Sequence, residues 1–533
     1  MTTFVHDLIS QSAEKTPLNT ALTFKEQQLN YQELNNKISR IASSYRALKV
    51  VRYQRIGIYL PKTIENILAM FAASKAGAVF VPINPVLKAP QVQHIANDCD
   101  IKIIITNKAR FKALQPLIDS LPKLTTVILT DSDTTSVETI AHVSVMTWST
   151  FISLSCKEQN PKPLTGNDMA AILYTSGSTG KPKGVVLSHS NIVLGAKSVA
   201  QYLQNTATDK ILAVLPLSFD YGFSQLTTSF LVGAECVLLD YLLANDVIKT
   251  IIKHKITGLA AVPPLWSQLC KLNWSDGAGN SIRYFTNSGG ALSTTNLNQL
   301  RTLMPKAAPY LMYGLTEAFR STYLSPDEVD KRIGSMGKAI PNAEVLVVRK
   351  DGSECEVNEP GELVHKGPLV SLGYWNAAEK TAERFKPAPG QPKGIINPEL
   401  AVFSGDSVKR DEDDFLYFVA RADEMMKTSG YRISPMEIEE VLYQHEQITE
   451  AATIGVPHAD LGQAILAIVC SNSQGDLSLV EKSVLKHCQK QLANYMVPKK
   501  IIVLTELPHN ANGKIDRNKL NQEYKNFFSG NNK

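Results

Sequence analysis

Along the chain, short β-branched runs at 55–60, 79–83 and 101–106 alternate with apolar residues at helical period over 64–75 and 90–97. A strand buried on both faces is a continuous apolar run, whereas a helix spaces its apolar residues three and four apart, so the alternation predicts βαβ units and a parallel sheet. The rhythm returns at 211–215, 236–239, 258–262 and 284–286, with a helical stretch at 297–303. Two wound parallel sheets, or one large one, are implied. From about Glu344 the texture changes to short strands and turns, EVLVVRKDGSECEV and then GELVHKG, which predicts a small antiparallel β subdomain. After Arg421 it changes again. A charged hairpin (DEMMKTSGYRIS), a helix opened by Pro435 with an acidic first turn, further strands and a helix over 477–492 predict a small α+β domain, with its boundary at 422–424. The expected class is therefore α/β, with two wound sheets and the antiparallel subdomain in a large N-terminal domain and a small mobile α+β domain behind it. No internal repeat is visible, and a Ser/Thr/Asp-rich patch at 130–136 predicts a surface loop.

Composition excludes more than it identifies. The 533 residues exceed one ordinary core and predict about two to four domains. Hydrophobic residues at 44% and charged residues at 20%, with Gly 30 and Pro 27 dispersed, describe a folded globular chain. A net charge of +5, from 55 basic and 50 acidic residues, is too dilute to imply a nucleic-acid or anionic-membrane partner. The seven cysteines are odd in number, scattered and never spaced as CxxC, so reduced thiols are expected. The N-terminus MTTFVHDLISQSAEK lacks a basic region followed by an apolar stretch, and the most apolar segment, 67–83, is interrupted by Lys75. No leader and no membrane span are expected, and a cytoplasmic protein is the default.

Chemistry first shows in YTSGSTGKPKG at 174–184, between the apolar runs MAAIL and VVL, a strand, loop, strand arrangement. Gly177, Gly180 and Gly184 permit close backbone approach, Thr175, Ser176, Ser178 and Thr179 bring hydroxyls, and Lys181 and Lys183 bring charge, a composition suited to a polyphosphate. It is not a Walker A loop, because only two residues separate Gly177 from Gly180 and Pro182 follows Lys181. Alone, the stretch favours a phosphate only modestly over a polar surface turn.

Four further stretches follow: YGLTEA at 313–318, FSGD at 403–406, ARADEMMKTSGYRI at 420–433 and NGKIDR at 512–517. Together with the glycine loop they resemble, in kind and order, the signatures of the adenylate-forming superfamily, which joins acyl-CoA synthetases, adenylation domains of non-ribosomal peptide synthesis and beetle luciferases. One short motif is a weak signal; five in order across nearly the whole chain are a specific one. Small departures are Ser404 where Thr is usual, Ala420 where Gly is usual, and Thr428 and Ser429 where an apolar residue and a base are common.

The resemblance implies joining of a carboxylate to the α-phosphate of ATP with Mg²⁺ present and pyrophosphate expelled, then transfer of the acyl group to the thiol of CoA or of a carrier protein's phosphopantetheine. It implies an adenylation domain over 1–422 and a small domain over 423–533, hinged at Asp423, which rotates between the half-reactions. Lys514 would be the catalytic lysine bridging carboxylate and phosphate; a solvated turn lysine is the ordinary alternative. Glu317 would hold Mg²⁺ and Thr316 would touch the α-phosphate. Thr175, Ser176, Gly177, Ser178, Thr179, Gly180 and Lys183 would wrap the phosphates. Gly289, Gly290 and Ala291 would face adenine, with Tyr313 beside Gly314 as the stacking ring or else a core tyrosine. Asp406 would accept the ribose hydroxyls, unless it is an Asx-turn residue, and Arg421 would add a ribose or phosphate contact. Gly430, Tyr431 and Arg432 would meet the pantetheine arm.

The acid is not specified. In LPLSFDYGFSQL, Asp220 follows Phe219 where amino-acid adenylation domains place the partner of the substrate ammonium; as an N-cap residue it would instead open the following helix. Both remain open. Tyr221, Gly222, Ser224, Ser288, Met312 and Arg320 are expected around the acid and form no clear side-chain code. Only NQEYKNFFSGNNK follows NGKIDRNKL, so the acceptor, CoA or a separate acyl or peptidyl carrier protein, is expected from outside. The alternative is a non-catalytic nucleotide-binding regulator of the same fold, against which Lys514, Glu317, Asp406 and Arg421 all count.

Overall fold

The computed structural model describes residues 2–132, 138–156, 163–175, 182–392, 394–421, 426–428, 431–458, 461–472, 476–492, 494–511 and 513–528. They form three sheets. The first has eight strands, and its centre is a parallel run ordered Met169–Thr175, Val79–Pro82, Arg55–Tyr59, Ile103–Thr106, Thr126–Leu129 and Val143–Thr147. Lys183–Ser188 and Glu138–Ile140 close its edges antiparallel. The second begins parallel, in the order Thr20–Phe24, Glu235–Leu238, Lys210–Ala213, Gly258–Ala261, Tyr284–Asn287 and Ala308–Tyr313. The antiparallel strands expected as a subdomain are continuous with this sheet, joined to it through Thr322–Leu324 and Ser335–Ala339.

The strand residues of both parallel runs are buried as the continuous apolar pattern requires. The helix Ile64–Lys75, part of the segment that Lys75 interrupts, is buried nearly all round in the core that also holds Phe80, Phe223 and Phe230. Its last-turn lysine donates to Ser39 Oγ at 2.8 Å. Among the described residues no helix is long and apolar enough to cross a membrane, and the seven cysteines are free thiols.

The third sheet belongs to the C-terminal region and contains Met426–Thr428, Tyr431–Ile433, Ile448–His458, Gly462–Ser471 and Lys500–Leu504. The helices Pro435–Tyr443 and Leu477–Gln491 pack on it around Ile438, Leu442, Val480 and Val484. Arg517 forks onto Glu439 with two bonds of 2.7 Å, and Glu439 also accepts the Thr453 N–H. That bidentate pair ties the segment after Lys514 to the body of this sheet.

Candidate active site

Several of the described groups singled out in the sequence lie where parallel strands end, the position at which open α/β sheets bind ligands. Asn84 follows Val79–Pro82 in the first sheet. In the second, the helix Asp220–Val232 follows Lys210–Ala213, Gly289 and Gly290 follow Tyr284–Asn287, and Thr316 and Glu317 follow Ala308–Tyr313.

The lysine reaches this crevice on a tight turn. Asn510 N–H donates to the Lys514 carbonyl at 2.7 Å, the Lys514 N–H returns to Asn510 Oδ1 at 3.1 Å, and Gly513 takes φ +77° between them. The turn is fastened to both sheets. Asn84 Nδ2 donates to the Ala511 carbonyl at 2.8 Å, while Lys514 Nζ lies 5.7 Å from the centre of the Phe219 ring. Gly289 has φ +83°, which favours glycine, and a Cβ there would stand 3.0 Å from Lys514 Cε, so the lysine stem lies close against this turn. Lys514 is half-buried on this turn, with its stem against Gly289 and its ammonium near the Phe219 ring. Asn84 Oδ1 also accepts the Val86 N–H, so Asn84→Asp keeps that acceptor but replaces the donor to Ala511 with a charged oxygen. Losing one such bond is worth about 1 kcal/mol. The variant should slow the reaction that uses Lys514 about fivefold without lowering the melting temperature, measured by the initial rate and by thermal unfolding.

On the nucleotide side, the Tyr313 hydroxyl donates to Asp406 in a short bond, and the ring lies 6.4 Å from that of Phe418. Tyr313 is half-buried and packs against the small core of Met336, Val347, Leu363 and Val408. Asp406 pairs in register with Arg421, whose backbone alone is described, and its own N–H donates to Ser404 Oγ. The Tyr374 hydroxyl donates to Glu317 Oε1 at 2.5 Å, and Lys183 Nζ lies 5.1 Å from the Tyr374 ring. Burial pulls the Lys183 pKa down, and the Glu317 carboxylate opposes that shift. Thr175 faces Lys183 across the strand pair. Gly290 and Ala291 are exposed at the mouth, and Asn287 Nδ2 holds the Gly290 carbonyl at 2.9 Å.

On the other side of Thr316, the side chains are buried. Asp220 is the first residue of its helix, Phe219 occupies the cap position, and no side-chain cap bond forms. The Asp220 carboxylate instead accepts the Thr316 hydroxyl at 3.1 Å. The capping role is thus not the one Asp220 performs. Burial raises its pKa, although Arg320, Lys514 and the Thr316 bond all favour the charged form. Arg320 donates to Ser288 Oγ at 3.2 Å and lies 4.7 Å above the Tyr221 ring, and Met312 Sδ accepts the Tyr202 hydroxyl. Gly222 has a packing reason: a Cβ there would stand 2.1 Å from the Pro216 carbonyl oxygen. Ser224 is buried one helical turn on.

Ser176, Gly177, Ser178, Thr179, Gly180, Asp423 and Gly430 lie outside the described residues, and Tyr431 and Arg432 are described as backbone in the strand Tyr431–Ile433. Sequence reasoning missed Tyr374, Asn84 and Phe219. A GYW triplet marks Tyr374, but nothing local shows that its hydroxyl meets Glu317.

Among the described residues no cluster of three or more His, Cys, Asp or Glu could hold a metal ion by itself. Glu317, a single hard oxygen ligand beside a lysine and a tyrosine hydroxyl, fits an ion such as Mg²⁺ that completes its shell with phosphate oxygens and water.

Comparison with known proteins agrees with this arrangement. A family model described as AMP-binding enzyme matches residues 9–375, and one described as AMP-binding enzyme C-terminal domain matches residues 437–514. The chain is 28% identical to gramicidin S synthase 2 of Brevibacillus brevis over 97% of its own length but 11% of that protein's, and so spans about a tenth of that relative. It is also 28% identical to a long-chain-fatty-acid–CoA ligase of Escherichia coli, covering 97% of this chain and 94% of that one. Among solved structures, an o-succinylbenzoate–CoA synthetase from Bacillus subtilis, bound to its acyl-adenylate, superposes with TM-score 0.80 at 26% identity, over 96% of this chain and 97% of that one. An anthranilate–CoA ligase bound to anthranoyl-AMP shares the fold, with TM-score 0.87 at 24% identity over 99% of this chain and 98% of that one.

Proposed function

Since the chain belongs to the AMP-binding enzyme family, whose model covers residues 9–375, we propose that it is an AMP-forming acid–thiol ligase. It activates a small carboxylic acid with ATP and then passes the acyl group to a phosphopantetheine thiol. The observation that supports this most directly is the seating of Lys514 between Phe219 and Gly289 at the ends of the parallel strands. In the first step a carboxylate oxygen attacks the α-phosphorus of ATP; that P–O bond forms as the bond to pyrophosphate breaks. A carboxylate and a polyphosphate repel each other, and the ammonium of Lys514 would neutralise both, while the Thr316 hydroxyl would orient the reacting oxygens by turning its proton from Asp220 to the α-phosphate. Glu317, held by Tyr374, would take a Mg²⁺ ion, which supplies charge neutralisation on the phosphates. Asp406 and Tyr313 would hold the ribose and adenine end. In the second step the thiol sulfur attacks the acyl carbon, AMP leaves with the bonding electrons, and the thiol proton is lost. CoA and a carrier protein present the same thiol, and both are acceptors to be tested.

The protein should catalyse acid-dependent exchange of labelled pyrophosphate into ATP with Mg²⁺, and the exchange should vanish on chelation with EDTA and return with added Mg²⁺. A panel of fatty, aryl and amino acids identifies the acid. Folded, ATP-binding protein that exchanges with none of them would instead establish the non-catalytic regulator.

A further inference from the structure

The two sides of Thr316 differ in a way that bears on the acid. Gly290 and Ala291 are exposed and Tyr313, Gly314 and Glu317 are part-exposed, so the nucleotide side is open. On the acid side Tyr221, Ser224, Ser288 and Arg320 are each at most 2% exposed. These side chains form a nearly closed wall behind Thr316 and Asp220. Arg320 is part of that wall, with its guanidinium carbon 4.7 Å from the centre of the Tyr221 ring and one N–H on Ser288. Its Nε has no hydrogen-bond partner, and its charge acts on the buried Asp220 carboxylate without a direct bond between them.

The backbone drives it there. Phe319 has φ +59° and ψ −53°, and the Arg320 N–H donates back to the Ala318 carbonyl at 2.6 Å, a γ-turn of the rare positive-φ kind. For a bulky residue that conformation is strained and persists only if the surroundings impose it. They do: the Phe319 ring is seated where a Cβ on Gly195 would be 2.3 Å away, and Gly314 leaves room for Arg320, a Cβ there standing 3.1 Å from its Cα. The chain is turned inward at Arg320 by packing that extends into the main core.

We propose that Arg320 closes the acid end of the site, so that the substrate is a short-chain acid whose tail ends at the guanidinium. The inference rests on the ligase reading above, because the acid must run from Lys514 and Thr316 towards Asp220, Tyr221 and Arg320. It does not depend on whether the acid carries an ammonium, since glycine and propionate are both short.

Pyrophosphate exchange with acetate, propionate, butyrate, hexanoate, octanoate, benzoate, glycine and alanine tests it. Wild type should prefer short members, with kcat/KM falling about tenfold or more for each methylene that does not fit. Arg320→Ala should move the optimum to longer acids, whereas Arg320→Met, which restores bulk without charge, should keep the short-chain preference. Hexanoate, octanoate or benzoate used by wild type as well as the short acids would overturn the proposal, as would a folded Arg320→Ala protein with an unchanged profile. Should both variants fail to fold, the wild-type series still decides. Exchange with long acids refutes this inference alone; no exchange with any acid refutes the ligase reading and this with it.

Discussion

Lys514→Ala should reduce pyrophosphate exchange by at least about a hundredfold, the scale of losing a positioned group that stabilises developing negative charge. The same protein, given a preformed acyl-adenylate and thiol, should form thioester at near the wild-type rate. The asymmetry follows from where the lysine sits. Its turn reaches the crevice only as part of the C-terminal region, through Asn84 to Ala511 and through Ser267 Oγ to the Thr449 carbonyl at 3.1 Å. If that region withdraws after the adenylate forms, the second step proceeds without Lys514, whereas bulk at Gly430 should obstruct the thiol and spare the first step. Stopped assays of the two half-reactions separate these outcomes. Equal loss of both steps in a folded Lys514→Ala protein would sink the rotation account while leaving the lysine essential.

How far the sequence carried depended on whether a feature was local. The strands at 55–59, 79–82 and 258–261 are continuous β-branched or apolar runs because both faces are covered, and such runs are visible in a single window. Pairing is not. Thr20–Phe24 joins the second sheet beside Glu235–Leu238, and no short pattern encodes a partner that far along the chain. The antiparallel strands were legible as a change of texture, yet their continuity with the second sheet depends on Ser335–Ala339 pairing on both sides.

The site shows the same division. The motifs around Lys514, Thr316 and Glu317 stand out as short runs of unusual composition, but the bonds that hold them cross 427 residues from Asn84 to Ala511 and 57 from Tyr374 to Glu317. Asp220 was ambiguous for a related reason. Asp is a good cap residue, and the sequence does show a helix beginning there. It does not show that Phe219 takes the cap position and leaves the carboxylate to turn toward Thr316.

Asp220→Ala therefore distinguishes two roles, neither of them capping. In one, the carboxylate receives the ammonium of an amino-acid substrate. In the other, it is an internal counter-charge for Arg320 and Lys514, both of which favour its ionised form. Its pKa is nevertheless raised by burial, so the carboxylate is short of compensation, and a substrate ammonium would supply it. Removing one member of a buried charge pair typically costs about 3 to 5 kcal/mol, a factor of hundreds or more in binding. With an amino-acid substrate, the ratio of kcat/KM between alanine and propionate should collapse by about that factor in Asp220→Ala, while propionate alone changes little. As an internal counter-charge, Asp220 would stabilise the fold, and its loss would leave Arg320 buried beside one opposite charge fewer. The melting temperature would then fall and both acids would lose activity together, with their ratio preserved. Asp220→Asn, which keeps the shape and the acceptor for Thr316, separates charge from packing: a collapsed ratio in a protein of wild-type melting temperature assigns the ammonium role. A preserved ratio in both variants rejects the amino-acid assignment and leaves a short acid without an amine as the substrate.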